Sequence, residues 1–110
     1  MNNSSLKKSE ILRDKQEISR LFDNGEWNKG RFVNVVHLSS DKRKVLFATA
    51  RHFKGAVLRN RGKRYLRECY RNNKEWFSSL CIYGLILKKI PRHEPLKAIG
   101  DDLQSILQNV

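Results

Sequence analysis

The stretch from Arg51 to Lys74 holds nine Arg or Lys residues and one acid, Glu68, so it carries +8 of the chain's net +12. The chemistry open to such a segment is the gripping of phosphate. Arg59, Arg61, Arg64 and Arg67 present planar forks that can take two phosphate oxygens at once. Lys63 adds a point charge. Asn60 has both a donor and an acceptor. It can bridge a phosphate, a ribose 2′-OH or a base edge, or it can orient a neighbouring arginine through a local hydrogen bond; both readings stay open. Bond-breaking chemistry is harder to find. No carboxylate cluster accompanies the basic segment to hold two metal ions. Glu68 is isolated and suited to pairing with Arg64, one helical turn earlier. No Ser-His-acid or Cys-His arrangement can be argued from the spacing, so no catalytic residue is assigned.

Cys69 and Cys81 are too few for a disulfide framework and lack zinc-ligand spacing. They read as two reduced thiols in or near the core. His37, His52 and His93 are scattered, and no metal site is expected.

The basic residues need a helix to align them. At about 100° per residue, Arg59, Asn60, Lys63, Arg64, Arg67, Arg71 and Lys74 share one sector of roughly 140°. Leu58, Gly62, Tyr65, Leu66, Cys69, Trp76 and Leu80 share the opposite side. This predicts a long amphipathic helix from about Gly55 to Leu80. Gly62, on its apolar side, suggests close approach to a sheet. A solvated helix face ordinarily mixes Glu with Lys; a face with one acid favours a polyanion.

Other elements must support that helix. Asp14 with Glu17 forms a capping-box-like start. Ile18, Leu21 and Phe22 recur at helical spacing, and Gly25 supplies a stop, which predicts a helix over Lys15–Asn24. Arg31–Leu38 is β-branched and aromatic and reads as a strand. Ser40-Asp41-Lys42 supplies a turn, and Lys44–Thr49 reads as its hairpin partner. A short extra strand around Trp27 is left open. Cys81–Leu87 is continuously apolar, as in a strand buried on both faces. After Pro95, the residues Leu96, Ile99, Leu103, Ile106 and Leu107 predict a C-terminal helix, with Asp101-Asp102 available as its start. Residues 1–10 are polar and expected to be flexible. The whole is expected to be one domain, residues 1–110, of α+β class: a two-layer sandwich of helices against a small sheet.

Composition limits the partner. With 39% apolar residues and a pI near 10.2, the chain supports one modest core and an anionic partner, nucleic acid before an acidic membrane surface. The basic helix lacks the exposed apolar face that would insert into lipid. The N-terminus lacks the apolar run of a secretory signal. The run Leu80–Leu87 is too short to span a bilayer. A cytoplasmic location without membrane association is expected.

The motif Ala56-Val57-x-Arg59-Asn60-Arg61-x-Lys63-Arg64-x-x-Arg67-Glu68 closely resembles the signature of the protein subunit of bacterial ribonuclease P. The resemblance extends over roughly residues 10–108. It implies the order α-β-β-β-α-β-α with a left-handed βαβ crossover. It implies an RNA-binding subunit that helps a catalytic RNA remove the 5′ leader of precursor tRNA endonucleolytically, and that lowers the Mg²⁺ requirement. The Mg²⁺ would belong to the partner RNA, with no cofactor bound by this chain and no obligate protein partner. The RNA-binding residues implied are Arg51, Arg59, Asn60, Arg61, Lys63, Arg64 and Arg67, with His52, Lys54 and Arg71 as further candidates. A cleft between the first helix, the sheet and the basic helix would meet the leader, with Ile18, Phe22 and Val35 as candidates for its apolar floor or as ordinary core. The chain departs from the usual pattern at Ala50, His52 and Lys54, and has Ile18 and Val35 where aromatics are common. Two other readings fit the charge: a DNA-binding regulator, although no helix-turn-helix pair is evident, and a ribosome-associated structural protein.

Overall fold

The computed structural model describes residues 6–108. Helix α1 spans Lys15–Asn24, the predicted bounds. The Asp14 carboxylate caps it, accepting from the backbone N–H groups of Gln16 and Glu17. It ends at Gly25, where the backbone turns extended and a side chain would be crowded. A Cβ there would collide with the Leu21 carbonyl oxygen and the Val36 side chain.

Four strands follow from the β-rich stretches: β1 (Glu26–Lys29), β2 (Val33–Ser39), β3 (Lys44–Thr49) and β4 (Cys81–Leu87). The short strand at Trp27 therefore exists, and β2 begins two residues later than expected. The spatial order is β1-β2-β4-β3. β2 runs antiparallel to β1 and β4, whereas β3 runs parallel to β4. The expected β2–β3 hairpin does not form, because β4 inserts between the two strands. β4 is the most apolar strand and is buried along most of its length. The centre of the sheet is where such a strand loses most contact with water.

Helix α2 (Ala56–Asn72) leads from β3 to β4. It stops eight residues before the predicted end, and a 3-10 turn at Lys74–Trp76 takes over. The Asn73 side-chain amide donates to the Cys69 carbonyl at 2.9 Å, satisfying one orphaned acceptor of the last turn. Phe77 stays in the core on the turn, while Leu80 lies exposed beyond it. Helix α3 (Pro95–Gln108) begins at its proline, which needs no N–H there. Asp102 is therefore not a helix start. Its carboxylate lies mid-helix and accepts from the backbone N–H groups of Arg31, Phe32 and Val33 at 2.9–3.0 Å, pinning the approach to β2.

Strand alternation sends successive side chains to opposite faces. Val33, Val35, Val45, Phe47, Tyr83, Leu85 and Leu87 pack with Leu66, Cys69 and Tyr70 of α2 and Ile99, Leu103 and Ile106 of α3. Val36 and Ile82 face the other way, against Leu12 and Leu21, with Ile18, Leu46 and Ile86 alongside. The α+β class and element order are as expected, but helices lie on both faces of the sheet. The expected two layers become three, with short α1 as the third. Gly62 lies at the predicted close approach: a Cβ would sit 2.9 Å from Thr49 Cγ2 and 3.1 Å from Leu87 Cδ2.

The described part of the N-terminus packs against the rest of the domain. Leu6 packs on the main core, Lys8–Glu10 forms a 3-10 turn, and Ile11 bridges Val45. Residues 1–5 of that expected flexible segment lie outside the described residues. No helix among the described residues is long and apolar enough to cross a membrane.

Candidate nucleic-acid interface

The turn from β3 into α2 depends on Gly55. Its φ of 84° lies where side chains are disfavoured, and nothing lies within 4 Å of a Cβ built there. The constraint is the backbone conformation itself. The turn leaves Arg51, His52 and Lys54 exposed just ahead of the helix.

On α2 the basic residues form the expected stripe. Arg59, Asn60, Arg61, Arg64 and Arg67 are exposed and Lys63 is half-buried. None of these five cations forms an ion pair among the described residues. Two are held without being neutralised. The Arg59 guanidinium donates to the Phe53 carbonyl at 3.4 Å, and that of Arg67 lies 5.9 Å from the Phe47 ring centroid. Asn60 makes no side-chain hydrogen bond among the described residues, so its amide does not orient a neighbouring arginine here. Leu58, placed on the apolar side by the helical wheel, is 38% exposed. It lies in the first turn, where the core does not reach; with His52, Phe53, Lys89 and Ile90 it lines a cleft of about 310 Å³.

The far end of the stripe behaves differently. Both oxygens of Glu68 accept from Arg71 at 2.7 Å. The expected Glu68–Arg64 pair is replaced by this one, three residues forward instead of four back. Lys74 turns away to the N-terminal segment, where its Nζ lies 2.8 Å from Glu10. Glu10 also accepts from the Tyr70 hydroxyl at 2.5 Å, the Lys7 N–H at 3.1 Å and Arg43 at 3.3 Å. Burial alone would raise the Glu10 pKa, but hydrogen bonds from Lys74, Tyr70 and Lys7 outweigh it and hold the carboxyl at about 2. Burial raises the Tyr70 hydroxyl, with its bond to Glu10 adding to the shift.

The three candidates for the cleft floor separate. Val35 is fully buried and faces α2 and α3. Strand parity therefore removes it from the face that carries α1. Ile18 and Phe22 do lie on that face. Ile18 packs against its small core, and Phe22 lies above Gly84, at 3.4 Å from a Cβ built there. Phe22 stays 36% exposed and stacks on Trp27, which is 45% exposed, with centroids 5.6 Å apart and planes 28° apart. Trp27 is not among the cleft candidates that the sequence offers. The signal available for it was an aromatic on a short edge strand, in register with Val36.

Among the described residues, no group of three or more His, Cys, Asp or Glu is placed to hold a metal ion. The cysteines are unbridged, as expected: Cys69 is buried and Cys81 partly so. Burial, helped by the charge of Glu68, pushes the Cys69 thiol up to about 11.

The same chain resembles known proteins over nearly all of its length. The family model of Ribonuclease P matches residues 6–110. The ribonuclease P protein component of Chlorobium phaeobacteroides is 40% identical over 90 residues, covering 74% of this chain and 62% of that protein. That of Petrotoga mobilis is 34% identical over 100 residues, covering 86% and 78%. The chain thus spans less than two thirds of the first relative and more of the second. Among solved structures, the RNase P protein of Thermotoga maritima superposes with a TM-score of 0.79 at 21% identity, over 92% of this chain and 97% of that one. The Staphylococcus aureus RNase P protein superposes at 0.77 and 19%, over 93% and 95%. These two likenesses establish a common fold, and the sequence matches carry the relationship further: this chain belongs to the ribonuclease P protein family.

Proposed function

We propose that this chain is the protein subunit of a ribonucleoprotein ribonuclease P. It binds the catalytic RNA through α2 and assists endonucleolytic removal of the 5′ leader from precursor tRNA. One observation carries the reading: Arg59, Arg61, Lys63, Arg64 and Arg67 stand on one helix without a carboxylate partner among the described residues. Phosphate contacts of this kind give affinity and register, while base contacts specify. Arg51, His52 and Lys54 extend the surface toward the start of the helix. Arg71 is the weakest member, since Glu68 already occupies its fork.

Hydrolysis in this reading belongs to the RNA and its Mg²⁺. The chain neutralises phosphate repulsion, steadies the RNA fold and aligns the leader, so less Mg²⁺ is needed. The leader would pass over the α1 face of the sheet, across Phe22 and beside Ile18. Both the precursor and the catalytic RNA are therefore partners, and the setting is the cytoplasm. A DNA-binding regulator fits less well. The element before α2 is strand β3, so α2 lacks the preceding helix that braces a recognition helix in the major groove.

Reconstitution with the partner RNA and precursor tRNA tests the reading. Adding the chain should restore cleavage at Mg²⁺ concentrations where the RNA alone is slow, and the chain alone should not cleave. No gain at low Mg²⁺ would overturn it.

A further inference from the structure

We propose that the cleft at the start of α2 takes one unpaired nucleobase of the catalytic RNA, with Leu58 and His52 as its walls and the cations at its rim on the adjoining phosphates. This role rests on the RNA-partnered reading above. The cleft is lined by His52, Phe53, Leu58, Lys89 and Ile90 and has a volume of about 310 Å³. Ligand pockets begin at roughly 300 Å³, so the space suits a single ring system. Its floor is fixed by the core. Phe53 is 5% exposed, and its ring lies 3.4 Å from a Cβ built at Gly62. Ile90 packs against the same core. The walls stand in water. Leu58 is exposed in the first turn of α2, and the exposed His52 ring stands 5.4 Å from that of Phe53, tilted by 42°. An apolar wall left uncovered beside an aromatic floor forgoes burial energy until a flat apolar group covers it.

The occupant follows from the rim. Arg51, Lys54, Arg59 and Lys89 are exposed, and none is ion-paired among the described residues. No acid is among the lining residues. Two of these cations are held in place. Arg59 donates to the carbonyl of Phe53, the floor residue, and Lys89 stands 5.5 Å from the centroid of the Phe32 ring, which Arg31 also approaches at 5.2 Å. Cations from two elements thus meet at one apolar cleft. An apolar peptide would leave their charge uncompensated, and a bare phosphate would leave Leu58 in water; a nucleotide answers both. Paired bases hide their faces by stacking, so the base is an unpaired one turned out of its helix. Its source follows from position. Phe53 and Ile90 pack with the cluster of α2 and α3, so the cleft lies on the side of the sheet away from α1 and from the leader path. The stripe begins at Arg59, the residue after Leu58, and the base therefore belongs to the RNA whose phosphates lie along α2.

Salt titration tests the cleft, because base and phosphate contacts respond differently. Loss of a phosphate contact makes the salt slope shallower, whereas loss of a base contact weakens binding at every salt concentration and leaves the slope alone. Binding of the catalytic RNA, without precursor, is compared for the wild-type chain and for Leu58→Ala, Leu58→Met and Leu58→Lys. Leu58 is exposed, so these variants leave the core intact, and thermal midpoints check that each is folded. Leu58→Ala should weaken binding about fivefold with the wild-type slope, and Leu58→Met should restore most of that loss. At high salt, where added charge counts least, Leu58→Lys should bind more weakly than the wild type. Unchanged affinity in Leu58→Ala would overturn the cleft, as would a Leu58→Lys chain that binds as tightly as the wild type at high salt. A loss that emerges only when precursor tRNA is added would overturn the assignment to the catalytic RNA. If the wild-type chain lowers the Mg²⁺ requirement and these signatures fail, the cleft alone falls. If it does not, the wider reading falls with it.

Discussion

Two basic regions of this molecule use the same residue types for opposite ends. On α2, Arg59, Arg61, Arg64 and Arg67 are exposed and lack a carboxylate partner among the described residues. Around Glu10, Arg43 and Lys74 converge on one nearly buried carboxylate and flank the Tyr70 ring at 5.6 and 5.8 Å from its centroid. The second region consumes its charge in holding the N-terminal turn, the β2–β3 turn and the end of α2 together. The first leaves its charge unspent, and a row of unneutralised cations opposes folding by self-repulsion until an anion arrives. A count of lysines and arginines does not separate these uses. Position relative to the few acids does.

The largest expected effect breaks the second region and spares the first. Glu10→Gln keeps the shape but removes the charge. It should lower stability by about 3 kcal/mol, read from denaturant or thermal midpoints. Affinity for RNA at a temperature where the variant is folded should be unchanged, because Glu10 is held by Lys74, Tyr70, Lys7 and Arg43 and not by Arg59, Arg61, Lys63, Arg64 or Arg67. The pH dependence has the same origin. The folded-state pKa of about 2 lies below the ordinary value of 4.5. This stabilisation is therefore complete above about pH 5 and is lost as pH falls from there toward 2. Glu10→Gln should flatten that part of the acid-unfolding profile; a profile as steep as the wild type's would mean the carboxylate is not the group responsible. At the small end, Arg71→Ala should change RNA affinity by less than about twofold and stability by no more than about 1 kcal/mol, as for a part-exposed pair. A tenfold loss of affinity would place Arg71 with the stripe.

Much of this was legible in local pattern. The bounds of α1 follow from Asp14 and the Ile18, Leu21, Phe22 spacing. The burial of β4 on both faces follows from its unbroken apolar run, and the stripe from the 3.6-residue period. What was not legible is set by distant parts of the chain. Nothing between Ser39 and Lys44 reveals that a strand forty residues later comes between β2 and β3. Val35 and Val36 are indistinguishable as residues; only the sheet's two faces decide which one meets α1. Asp102 resembles a helix start because its true partners, the N–H groups of Arg31 to Val33, lie far away in sequence. The 3-10 turn at Lys74–Trp76 keeps apolar residues near helical spacing, which hides the end of α2.

The salt dependence of RNA binding tests the central claim most directly. For the partner RNA, the logarithm of the binding constant should fall steeply with the logarithm of salt concentration. Each phosphate contact adds about 0.7–0.9 to the slope. The double variant Arg59→Ala, Arg64→Ala should bind more weakly and with a slope shallower by roughly 1.4–1.8. A double variant with the wild-type slope would contradict the assignment of the exposed face of α2 to RNA phosphate.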